Sequence, residues 1–143
     1  FDASTQERGF FGFDKKEDVK YILISEKGCA DPSAEYSLEL ADGLLPLDIH
    51  TFDKDAFILE NEQVHKVTLY TKEKKACLSL HFHTPVVGLW SPPAKNAPFV
   101  CIEPWYGRCD RAHYTGEYKD KDWMQHLHPD KTFKGGYTIE IEE

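Results

Sequence analysis

The sequence predicts an all-β fold, a β-sandwich or barrel built from short strands. Three observations carry this. At least six stretches are rich in β-branched and aromatic residues or alternate apolar with polar side chains. Turn-forming residues separate them. A single short piece, 52–57 (FDKDAF), reads as helical.

In chain order, VKYILIS (19–25) is a strand bounded by charges and by the turn-like EKGCADPS (26–33). EYSLELADG (35–43) sets Tyr36, Leu38 and Leu40 against Glu35, Ser37 and Glu39, and its Asp42-Gly43 pair is a hairpin-turn signal. VHKVTLYT (64–71) puts Val67, Leu69 and Thr71 on one side. KKACLSLHF (74–82) puts Leu78, Leu80 and Phe82 on one face, and the charged KEKK (72–75) between the two runs suits a hairpin loop. The tail GGYTIEIEE alternates Tyr137, Ile139 and Ile141 with Thr138, Glu140 and Glu142, the pattern of a half-buried antiparallel strand. SPPAKNAP (91–98) is a loop joining VVGLW to the segment that holds Glu103, so Trp90 and Glu103 flank one excursion and are expected to face a common cleft.

The 143 residues suit one domain, 1–143, and 41% hydrophobic content supports a core. With 25 acidic against 17 basic residues the net charge is −8, which disfavours nucleic acid as a partner. No apolar run approaches the roughly 20 residues of a membrane helix. The opening FDASTQERGFFGFD lacks the basic-then-apolar order of a leader, and the chain begins at Phe1 rather than Met. Cys29, Cys77, Cys101 and Cys109 show no C-x-x-C spacing. They read as reduced thiols in a cytoplasmic protein, with a disulfide as the alternative.

Glu103 stands out because it interrupts an apolar and aromatic run, APFVCIEPWYGRCD (97–110). A carboxylate in such a place is paired, solvated at a cleft edge, or kept for chemistry. Period-2 alternation puts Phe99, Cys101 and Glu103 on one face, and Pro104, which lacks an N–H, marks a strand end or edge. Partial burial there would raise its pKa toward that of a general base, and Trp105 and Tyr106 beside it suit the C–H face of a sugar. The competing reading is a salt bridge to Arg108 or Arg111. His81-Phe82-His83 has metal-ligand spacing but no following carboxylate, and His126-Leu127-His128 reads as a solvated turn.

VVGLWSPPAKNAPFVCIEPWYGRCD (86–110) resembles the central block of the aldose 1-epimerase superfamily, in the branch of LacX-like, galactose mutarotase-related proteins. LPLDIHTFDKDAFIL (45–59) and HPDKTFKGGYTIEIE (128–142) resemble flanking stretches of the same branch. The resemblance implies a galactose mutarotase-like supersandwich, of which this chain would be the C-terminal part. It implies interconversion of α and β anomers of a hexose or hexose phosphate by general acid–base chemistry, without a cofactor. Glu103 matches the family's catalytic base and Asp55 its hydroxyl-binding acid, while Trp90 and Trp105 match aromatic positions. Arg108, Tyr106 and Cys109 depart from the usual residues, and Arg108 is expected to contact the substrate. The family's catalytic His lies in an H-P-x-F type motif, which none of the seven histidines here has. The chain is therefore expected to lack its N-terminal half, and to associate with that half or with a second copy. The rival readings are a non-catalytic carbohydrate-binding sandwich and a cupin-like metal enzyme on His81 and His83.

Overall fold

The computed structural model describes residues 9–25 and 28–142. Residues 1–8, Glu26-Lys27 of the expected 26–33 turn, and Glu143 of the tail lie outside the described residues. Two five-stranded antiparallel sheets form the architecture, no α-helix is present among the described residues, and a 3-10 turn spans Tyr118–Asp120. The first sheet contains β1 (Gly9–Phe13), β4 (Leu44–Leu47), β6 (Lys66–Tyr70), β7 (Ala76–Phe82) and β10 (Tyr137–Ile141), ordered β10-β7-β6-β1-β4. The second contains β2 (Lys20–Ile24), β3 (Ala30–Ser37), β5 (Phe57–Leu59), β8 (Val86–Trp90) and β9 (Cys101–Trp105), ordered β3-β2-β5-β8-β9.

The sheets meet through alternate residues. Phe11, Phe13, Leu45, Leu47, Val67, Leu80 and Phe82 of the first sheet bury against Phe57, Leu59, Val87 and Leu89 of the second. The alternation in 64–71 and 74–82 thus does what it predicts, and those two strands form a hairpin closed by Thr71 N–H to Lys75 O at 2.8 Å. A smaller apolar cluster of Ile22, Ala30, Ile58 and Val86 lies on the opposite face of the second sheet, where Trp105 and Trp123 pack onto it. This second burial explains why β5 and β8 are apolar at consecutive positions.

Three expectations are corrected. Residues 52–57 are not helical. Turns bonded Asp53 N–H to His50 O and Asp55 N–H to Phe52 O lead into β5, and Asp55 adopts a left-handed φ of 75°, which stops any helix. The strand read at 35–43 instead starts at Ala30 and ends at Ser37, running through part of the expected turn. Pro32 is tolerated there because β3 is an edge strand. The Asp42-Gly43 turn is as expected, with φ of 55° and 76° and reciprocal Ala41–Leu44 hydrogen bonds.

The third correction concerns β10. It pairs in register with β7, Ile139 opposite Leu80, so its apolar residues do lie on the core-facing side. It is not half-buried, however: Tyr137, Ile139 and Ile141 are 62%, 53% and 70% exposed. β10 is the outermost strand of its sheet, and none of its residues joins either apolar cluster.

Candidate functional site

The β8–β9 hairpin positions Glu103. Its register places Gly88 opposite Glu103, Trp90 opposite Cys101 and Val86 opposite Trp105. Gly88 in turn pairs with Ile58, and Ile58 with Ile22. Glu103 therefore ends a row that crosses the outer face of the second sheet, and Trp90 and Trp105 share that face with it. β9 is the edge strand, so Pro104 removes no hydrogen bond from a neighbour on its open side.

Trp105 needs the glycine beneath it. A Cβ on Gly88 would come within 2.6 Å of the Trp105 ring. Gly88→Ala is expected to lift the indole and destabilise the fold by about 1–3 kcal/mol, the usual range for overpacking. Urea unfolding and tryptophan emission check this, and no change in either would contradict the described seat.

Glu103 is half-buried, and among the described residues it forms no ion pair. Cys101, two residues earlier on the same face, is its neighbour. Burial pushes the Cys101 thiol up, and the adjacent Glu103 carboxylate acts in the same direction. The thiol thus stays protonated and can donate a weak hydrogen bond to the carboxylate. All four cysteines are free.

The arginines that follow Glu103 point elsewhere. Arg108, its side chain only 2% exposed, donates from Nε to Glu60 Oε1 at 2.5 Å, from Nη2 to Asp122 Oδ2 at 2.7 Å, and from Nη1 to Cys109 O at 3.0 Å. Arg111 Nε donates to Asp122 Oδ2 at 2.9 Å, and its Nη2 reaches Oδ1. Trp123 Nε1 donates to Glu60 Oε1 at 2.6 Å. The Arg111 guanidinium holds the Asp122 carboxyl below its ordinary pKa, opposed by burial and assisted by Arg108. This network pins the segment after β9 against the second sheet. Reasoning from sequence missed Glu60, Asp122 and Trp123, because no local spacing links positions so far apart in the chain.

Asp55 sits in the turn entering β5, where its Oδ1 accepts the Ala56 N–H at 2.7 Å, and no hydrogen bond or ion pair joins it to Glu103. Tyr106 packs edge-on against Phe133 with centroids 4.9 Å apart, and its hydroxyl accepts the Gly136 N–H at 3.2 Å. A surface cavity of about 470 Å³ lies beyond it, lined by Arg108, Lys121, Asp122 and Gln125 among others, but not by Glu103.

The histidine pairs separate. His81 Nε2 lies 2.8 Å from Glu140 Oε2, whereas His83 faces His65 across the hairpin. His126 and His128 are exposed. Among the described residues no three His, Cys, Asp or Glu side chains converge to hold a metal, and no helix is long and apolar enough to cross a membrane.

A two-layer antiparallel sandwich whose edge hairpin carries a half-buried carboxylate between two tryptophans has the fold of galactose mutarotase-like proteins. No family model matches the chain. The plasmid and chromosomal LacX proteins of Lactococcus lactis subsp. lactis are each 32% identical over 98 residues, 68% of this chain and 32% of theirs. The galactose mutarotase related enzyme of Lactobacillus acidophilus superposes with a TM-score of 0.83 at 28% identity, over 97% of this chain and 46% of that one. A galactose mutarotase-like protein of Lactobacillus casei superposes with a TM-score of 0.74 at 20% identity, over 94% and 46%, a likeness of fold. The chain is a LacX-like member of the aldose 1-epimerase superfamily. It spans about a third of the length of the curated relatives it matches.

Proposed function

We propose that the chain carries the general base of an aldose 1-epimerase-like isomerase acting on a hexose or hexose phosphate. The supporting observation is Glu103, a half-buried carboxylate on an open sheet edge, free of cations while Arg108 and Arg111 are engaged by Glu60 and Asp122. Glu103 takes the proton of the C1 hydroxyl as the C1–O5 bond breaks, and an acid protonates O5. The open aldehyde turns about C1–C2 and recloses by the reverse transfers on its other face. No redox change occurs and no cofactor is consumed.

Trp90 and Trp105 are the proposed stacking surfaces and Asp55 the proposed hydroxyl acceptor. Arg108 enters only with what its network leaves over, since three of its donors are engaged. The resemblance assigns the acid to none of the seven histidines, so the chain alone is expected to exchange anomers weakly unless another residue donates that proton. That feature also supports the second reading, a carbohydrate-binding sandwich in which Glu103 only accepts hydrogen bonds. Anomer exchange measured by NMR separates the two: acceleration supports catalysis, and sugar contact without exchange supports binding alone.

Association belongs to the same proposal. The exposed Tyr137, Ile139 and Ile141 form an apolar edge of the kind that a second copy covers. Sedimentation of the purified chain is expected to report a dimer that Ile139→Lys disrupts; a monomer for both would contradict self-association.

A further inference from the structure

We propose that His65 and His83 form a two-histidine site for a divalent transition-metal ion, independent of the Glu103 surface. His65 precedes β6 and His83 follows β7, so the hairpin brings together residues that no local spacing pairs. Their ring centroids are 5.0 Å apart at 43°. A zinc–imidazole bond of about 2.0–2.1 Å puts each centroid roughly 3.2 Å from the ion, and two such rings at the tetrahedral angle have centroids about 5.2 Å apart. The observed separation fits one shared ion.

A second observation points the same way. His65 Nδ1 is buried and has no hydrogen-bond partner among the described residues. A ring nitrogen taken from water without a partner is costly, and a bound ion would satisfy it. The cavity beside it, about 840 Å³, is also lined by Asp14, His81 and Tyr106, which leaves room for an ion and its waters. Asp14 accepts the His65 backbone N–H on both oxygens at 3.1 Å, which fixes the start of β6. Lys66 also lines the cavity, but its ammonium lies 3.8 and 3.6 Å from Glu140 and Glu142, which balance its charge locally.

Two imidazoles select ions of the copper, nickel and zinc group over magnesium or calcium. Since no third protein ligand converges among the described residues, water completes the shell and the ion exchanges. His81 is outside the pair because Glu140 engages it.

Copper(II) titrated into the full chain tests this, with electron paramagnetic resonance to count nitrogen ligands. The expected result is one bound equivalent carrying two imidazole nitrogens. His83→Asn and His65→Asn should each weaken it at least about tenfold, the scale by which even outer-shell partners change metal affinity. His81→Gln and the double change His126→Gln with His128→Gln should leave it unaltered. Should His65→Asn fail to fold, zinc-induced shifts of the imidazole ring protons in the unaltered chain give the same information. Shifts confined to other histidines, affinity unchanged in His83→Asn, or no binding at all would overturn the site.

Discussion

Arg108→Ala is expected to destabilise the fold by about 3–5 kcal/mol, the scale for breaking a buried ion pair from one side. The side chain is almost fully enclosed, and its removal leaves Glu60, at 13% side-chain exposure, without a cation and Asp122, at 17%, with Arg111 alone. Arg108→Lys should recover only part of the loss, since one ammonium cannot reproduce the fork that spans Glu60, Asp122 and Cys109 O. Urea unfolding measures both. A loss within the few tenths of a kcal/mol typical of exposed pairs would contradict the described burial.

The same network sets a pH dependence. Asp122 titrates below the ordinary carboxylate value in the folded chain, chiefly through Arg111. Its contribution is fully present above the unfolded pKa near about 4 and is lost as pH falls through the depressed folded value. The gap between wild type and Arg108→Ala should therefore narrow on acidification. A gap that widens toward low pH would contradict this.

Glu103→Gln carries the largest expected effect on activity. The amide keeps the shape and one acceptor oxygen but cannot take a proton, so any anomer exchange should fall by about 10²–10⁴-fold, the usual worth of a positioned base. Contact with sugar should persist, because the proposed stacking surfaces of Trp90 and Trp105 are untouched. Glu103 interacts with Cys101 and with no cation among the described residues, so the substitution should leave stability nearly unchanged. In this it contrasts with Arg108→Ala, and the pair of variants separates the residue proposed for chemistry from one that holds the fold.

Much of the fold was legible where one face of a strand meets one core. Val67 and Leu69 opposite Leu80 and Leu78, and the Asp42-Gly43 turn, follow directly from period-2 alternation and left-handed backbone. The strands β1, β4 and β5 escaped notice: GFFGF (9–13) mixes glycine with aromatics, LLPL contains Pro46, and FIL is buried on both faces, so none alternates. β10 shows the opposite failure. Its pattern specifies which side faces inward but says nothing about whether a second layer lies above it. Within the candidate site, the position of Glu103 at a sheet edge could be read from Pro104. The partners of Arg108 could not, because Glu60 and Asp122 arrive from 48 residues before and 14 after. Nor could the pairing of His65 with His83, since the i, i+2 spacing drew attention to His81, which the structure assigns to Glu140.

The most direct test is proton NMR of free hexoses with the wild-type chain and Glu103→Gln, following anomer exchange and saturation transfer in one sample. A general base at Glu103 predicts saturation transfer with both proteins and exchange accelerated by the wild type alone. Equal exchange with the two proteins would contradict that role, and saturation transfer without exchange from either would leave a sugar-binding sandwich in its place.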